Sequence, residues 1–193
     1  MKKLLSFVIN NETEIVIRSK DANDIEDIYA YSGALYIVLN YKGQSICLAN
    51  KITLFDLEQT VLENFKKALN KELPFPSKIH DLGIELNNYW FKCSLDLNES
   101  NTQKRTTEPF ELFECNETEF EGTNTFLYNN KGHIWLQIST KYLYFFSLEE
   151  PPLSYNEWRP YYKILYKQKI SHNIMQKWIF QLEEFTLKLR AQT

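Results

Sequence analysis

The chain has 193 residues, 44% apolar and 24% charged, which is ordinary globular composition and enough length to bury a core. Its net charge of −3 argues against a general nucleic-acid binder, which usually carries a basic excess. Only 5 glycines argue against a glycine-rich phosphate loop, and no run is long enough to span a membrane.

The first elements are β-rich. Residues 4–9 and 13–18 place Val, Ile and Phe at alternating positions around Asn10-Asn11-Glu12 and predict a hairpin. Residues 20–32 are acidic and polar and read as a loop or one helical turn. Leu35–Asn40 and Ser45–Ala49 flank Tyr41-Lys42-Gly43-Gln44, a second hairpin signal. From Leu54 to Leu69 the period changes. Leu54, Leu57, Val61, Phe65 and Ala68/Leu69 recur at three- and four-residue steps and predict a helix. Asp56 followed by Gln59 reads as its start, and Pro74 and Pro76 close it.

Residues 84–86 and 89–97 predict strands, with Tyr89, Phe91, Cys93, Leu95 and Leu97 on one side. Residues 98–109 have no period and predict a loop, and 110–115 fit neither template. Asn124–Tyr128 and His133–Ser139 flank Asn129-Asn130-Lys131-Gly132, a third hairpin signal. Tyr142–Phe146 predicts a further strand, and Pro151-Pro152 ends the sheet region. Ser154-Tyr155-Asn156-Glu157 has capping-box spacing, but Pro160 follows too closely for one continuous helix. The expectation is a turn at 154–159 and a short helix from Pro160 to about Tyr166. Ser171 caps a last helix with an apolar stripe of Met175, Trp178, Leu182, Phe185 and Leu189.

Strands followed by helices point to a single α+β domain over 1–193. It should hold a largely antiparallel sheet of hairpins, one central helix and two C-terminal helices. The two Lys-Gly turns are a faint sign of a duplicated half.

The chemistry-bearing residues form no catalytic or metal motif. His80 adjoins Asp81, yet sequence neighbours rarely face each other as acid–base work requires. His133 and His172 read as surface residues. Cys47, Cys93 and Cys115 show no C-x-x-C spacing and no Cys/His pairing, which argues against a disulfide-built secreted scaffold. Cys47 and Cys93 read as small core hydrophobes, and Cys115 as a poor nucleophile among carboxylates. No metal and no cofactor is expected. The opening Met1-Lys2-Lys3-Leu4-Leu5 resembles a signal-peptide start, but its apolar run ends after Ile9. A cytoplasmic location is the expectation.

Three segments could bind a partner. Residues 108–121 hold Glu108, Glu111, Glu114, Glu117, Glu119 and Glu121 with no Lys or Arg, a strip suited to a basic protein. The plain alternative is a solvated edge whose charges prevent aggregation. Trp158, Arg159, Tyr161 and Tyr162 surround Pro160, and Trp, Tyr and Arg dominate interface hot spots. Equally, Trp158 could plug the junction between the sheet and the last helices. From Arg159 to Arg190 seven Lys/Arg face two acids, interleaved with aromatics, as in single-strand nucleic-acid binders.

The leading expectation is therefore a non-enzymatic protein-binding domain. Chains rich in Lys, Asn and Ile, typical of low-GC bacteria, suggest an immunity- or inhibitor-type protein that caps a basic partner. An enzyme or small-ligand binder with a site assembled from distant residues is the alternative. Nucleic-acid binding through basic aromatic C-terminal helices comes third.

Overall fold

The computed structural model describes residues 1–19, 35–77, 79–86, 109–116, 122–141 and 155–190. Strands β1 (Lys2–Asn10), β2 (Thr13–Ser19), β3 (Leu35–Tyr41) and β4 (Gln44–Ile52) form one antiparallel sheet in chain order. Alternation sets its register. Phe7 lies opposite Ile15, Ile15 opposite Leu39, and Ile17 opposite Ile37, so one face carries a continuous row of buried apolar side chains. Strands β5 (Glu111–Asn116), β6 (Gly122–Asn130), β7 (His133–Thr140) and β8 (Ile164–Ile170) form a second antiparallel sheet, also in chain order. The α+β class with antiparallel pairing is as the residue patterns indicate, but the strands divide into two sheets.

Each four-strand run is followed by a helix. The first, α1, is continuous over 54–69, with π-type bonding across Leu57–Leu62 between α-helical Leu54–Asp56 and Glu63–Leu69. Its start is Thr53 rather than Asp56 with Gln59. Thr53 Oγ1 accepts from the Asp56 backbone N–H (3.1 Å), and the Asp56 carboxylate accepts from the Thr53 N–H (2.7 Å). Leu54, Leu57, Val61, Phe65 and Ala68 are all buried, as their spacing requires. Past the helix, Lys71 takes a left-handed φ of 64° and Glu72 N–H donates to Lys67 O at 2.8 Å, which reverses the chain. Asn129 then receives the returning segment. Its amide donates to Ala68 O (2.8 Å) and accepts from Leu73 N–H (3.1 Å).

Where a turn is expected over 154–159, residues Tyr155–Trp158 form a short helix, α2; the expected helix from Pro160 to Tyr166 is replaced by a turn that leads into β8 from Ile164. Pro160 suits a first helical turn, but the residues beyond it pair along β7, with Tyr166 opposite Ile138 and Ile170 opposite Ile134. Completing a buried ladder outweighed the local start signal. Residues 84–86 differ in the other direction. They lie in a single helical turn, Leu82–Leu86, because the Asp81 carboxylate accepts from the N–H groups of Gly83 (2.7 Å) and Ile84 (3.2 Å). The ambiguous stretch 110–115 largely becomes β5. The expected strands over 89–97 and 142–146, and the loop over 20–32, lie outside the described residues.

The last helix, α3 (His172–Arg190), is capped by Ser171, whose Oγ accepts from Ile174 N–H at 3.3 Å. Met175, Trp178, Leu182 and Leu189 are buried and Phe185 is half-buried. The Trp178 ring lies 5.6 Å from Phe7 and 5.5 Å from Phe65, and its indole N–H donates to Val8 O at 3.2 Å. Thus α3 is seated on β1 beside α1. Lys66–Glu183 (3.0 Å) and Arg190–Glu58 link the two helices, exposed pairs worth at most about 1 kcal/mol each. One hydrophobic cluster runs through both sheets and both long helices.

The repeated order of four-strand meander and helix is real, yet the two Lys-Gly turns are not equivalent. Both are left-handed at each central residue (Lys42 49°, Gly43 76°; Lys131 49°, Gly132 77°), the geometry of a two-residue hairpin turn. One joins the third and fourth strands of its sheet; the other joins the second and third.

The polar side of the first sheet offers a pH test. Glu14 on β2 accepts from Lys3 on β1 (2.8 Å), from Ser6 on β1 and from Asn40 on β3 (3.1 Å). These donors, Lys3 foremost, hold its carboxyl down at about 2. A lowered folded-state value stabilises above the unfolded value of 4.5, and that gain is lost as pH falls from 4.5 towards 2. Urea midpoints measured across this window should fall less steeply for Glu14→Gln than for the wild type. Parallel curves would mean that the three-strand tie does not form.

Candidate binding surfaces and a buried polar network

The Pro160 turn divides its four candidate residues between inside and outside. Trp158 is buried against Ile84, with Tyr155 and Tyr162 packed around it. It plugs the junction rather than projecting from it. Arg159 is exposed, with its guanidinium 6.0 Å from the Tyr155 ring. Tyr161 is 66% exposed and meets Trp158 edge-on at 6.4 Å. Tyr162 is half-buried, and its hydroxyl donates to Asp81.

That contact belongs to a network which residue spacing does not reveal. One Asp81 oxygen accepts from Gly83 N–H, Ile84 N–H and Tyr162 OH; the other accepts from Gln137 Nε2 at 3.1 Å. Gln137, fully buried on β7, also accepts from Tyr128 OH at 3.2 Å. Burial first, then the Asp81 charge, pushes the Tyr128 and Tyr162 phenols well above their ordinary range. A Cβ at Gly83 would lie 2.5 Å from Tyr162 Oη, so a side chain there would break the approach. The network fastens the segment through Leu86 onto β7. It also separates the sequence pair His80–Asp81. Asp81 turns inward, while His80 is exposed and its N–H donates to Glu85 at 2.6 Å. His133 and His172 are exposed as well. Among the described residues, no three His, Cys, Asp or Glu groups gather as metal ligands.

Of the acidic strip, Glu111 and Glu114 are described; Glu108, Glu117, Glu119 and Glu121 lie outside the described residues. Glu111 is half-buried and its carbonyl accepts from Asn64 Nδ2 at 3.1 Å. Glu114 is exposed and paired with Lys141.

The basic C-terminal segment is split between β8 and α3. On β8, Lys167 and Lys169 share one face. Lys167 Nζ lies 5.6 Å from the Trp135 ring centre and 5.8 Å from that of Tyr128, and Lys169 Nζ lies 5.3 Å from Trp135. A base stacking on Trp135 would have to displace those lysines, which disfavours the stacking mode of nucleic-acid binding.

β8 itself offers a further candidate surface. Among the described residues it pairs on one side only, with β7. Beside it runs a cleft of about 450 Å³, bounded by Ile164, Tyr166 and Lys167 and, from the first sheet, by Thr13, Tyr41 and Lys42. Tyr41 and Tyr166, both in its lining, meet edge-to-face at 5.1 Å. Ile164 is 45% exposed at its rim and offers apolar contact there. No sequence signal picked out this site, because it joins residues 13, 41–42 and 164–168 through the packing of two sheets.

The chain matches no protein-family model, no curated protein and no solved structure. Among the described residues no helix is long and apolar enough to cross a membrane.

Proposed function

We propose that this chain is a protein-binding domain that takes an extended, acidic segment of its partner along the outer edge of β8. The observation that carries the reading is the cleft beside a strand that, among the described residues, pairs on one side only. An incoming strand can satisfy the outward backbone groups of an edge, while side-chain pockets supply selectivity. Ile164 supplies apolar contact, and Lys42 and Lys167 favour carboxylates, with Glu12 as the one acid in the same lining. The same lysines discourage a second copy from adding to the edge, so they select a partner as well as protect the sheet. An inhibitor- or immunity-type role fits this class of function. The acidic strip and a basic partner receive less support, since one of its two described glutamates is already committed to Lys141.

The test is quantitative capture from native lysate with wild type, Ile164→Asp, Lys167→Glu, and the triple Gln variant of Glu117, Glu119 and Glu121. Captured protein should fall by about tenfold or more with either β8 variant, at unchanged melting temperature, and should be insensitive to the triple Gln change. Capture that survives both β8 variants, or that fails only with the triple variant, overturns the reading and restores the acidic strip.

A further inference from the structure

Cys47 and Cys115 stand 68 residues apart in the chain, yet their sulfur atoms lie 2.7 Å apart. Cys47 is on β4 and Cys115 on β5, the neighbouring edge strands of the two sheets. Cys115 is buried and Cys47 half-buried. We propose that Cys47 and Cys115 form a reversible disulfide site that staples the first sheet to the second.

The surroundings hold the two residues in place. Thr123 lies directly opposite Cys115 in the β5–β6 ladder, and its hydroxyl donates to the Cys47 carbonyl at 2.6 Å. One side chain thus fixes the backbone of one cysteine against the strand neighbour of the other. Gly122 completes the fit, because a Cβ there would lie 2.4 Å from Cys115 O. The sulfurs need approach by only about 0.7 Å to reach bonding distance. Capture of a soft metal between two thiolates would instead need them well apart, on opposite sides of the ion.

The oxidant is a small-molecule disulfide such as oxidised glutathione. Half-buried Cys47 is the accessible partner; as thiolate it attacks one sulfur and releases one thiolate, leaving a mixed disulfide on Cys47. Cys115 then loses its proton and attacks the Cys47 sulfur, expelling the second small thiolate. Two electrons pass from the protein thiols to the reagent disulfide, and the two protons end on the two released thiols. The bond closes a long loop, so the oxidised chain should melt roughly 5–15 °C higher than the reduced chain.

The experiment incubates the folded, reduced full chain with oxidised glutathione and reads intact mass, peptide linkage and melting temperature. Loss of two hydrogens, a peptide joining Cys47 to Cys115, and a melting rise reversed by dithiothreitol support the proposal. Cys93→Ser should behave like wild type, and Cys47→Ser should show neither the mass loss nor the melting rise. A lasting glutathione adduct on Cys47, a linkage through Cys93, or no mass change in wild type overturns it.

Discussion

Trp178→Ala should lower the unfolding free energy by about 3–5 kcal/mol, the range for truncating a large buried aromatic side chain. Trp178 is completely buried between Phe7 of β1 and Phe65 of α1, the point where both long helices meet the first sheet. The loss has two parts. Removing the ring leaves a void that its stiff neighbours refill only in part, and Val8 O loses its donor. Trp178→Phe keeps most of the ring and loses the hydrogen bond, so it should cost about 1–2 kcal/mol. Urea denaturation of both variants checks this. A midpoint near that of the wild type for Trp178→Ala would mean that α3 buries another face.

Asp81→Ala should cost about 2–4 kcal/mol, because one truncation strips the acceptor from two backbone N–H groups, Tyr162 OH and Gln137 Nε2 together. Gln137 is fully buried, and its amide is left with the longer contact to Tyr162 Oη at 3.3 Å. Tyr162→Phe removes one member and leaves the other Asp81 contacts, so it should cost less than Asp81→Ala. The two variants also separate a structural role from a catalytic one, since a structural network moves stability with every member. Alkaline titration gives an independent reading. The raised phenols of Tyr128 and Tyr162 stay neutral in the folded chain above the ordinary value of 10. Their contribution is present below that value and is lost as pH rises beyond it, when the unfolded chain releases those protons first. Full tyrosine ionisation in the folded chain near pH 10 would contradict the network.

Local pattern was legible where one residue type met one period. The stripes of α1 and α3, the caps at Ser171, and the Lys-Gly turns are short-range signals, and each is in the structure as read. The misreadings lie where long-range pairing decided the outcome. Residues 164–170 carry Pro160 upstream and lysines between apolar positions, a pattern equally suited to a helix face; only β7 makes it a strand. At 82–86 the Asp81 side chain, not hydrophobic period, winds the turn. The candidate surfaces were less legible still. Trp158 was visible as an aromatic, but its burial against Ile84 depends on a segment more than seventy residues away. The cleft along β8 and the Cys47–Cys115 contact both join elements of different sheets, and no spacing rule connects them.

The most direct test of the binding proposal is hydrogen–deuterium exchange of the chain alone and with the protein it captures. An added strand would occupy the outward backbone groups of β8, so exchange should slow across 163–169 on binding, with the Tyr41–Lys42 turn also shielded. Unchanged exchange at β8, with new protection at 108–121 instead, would contradict the account.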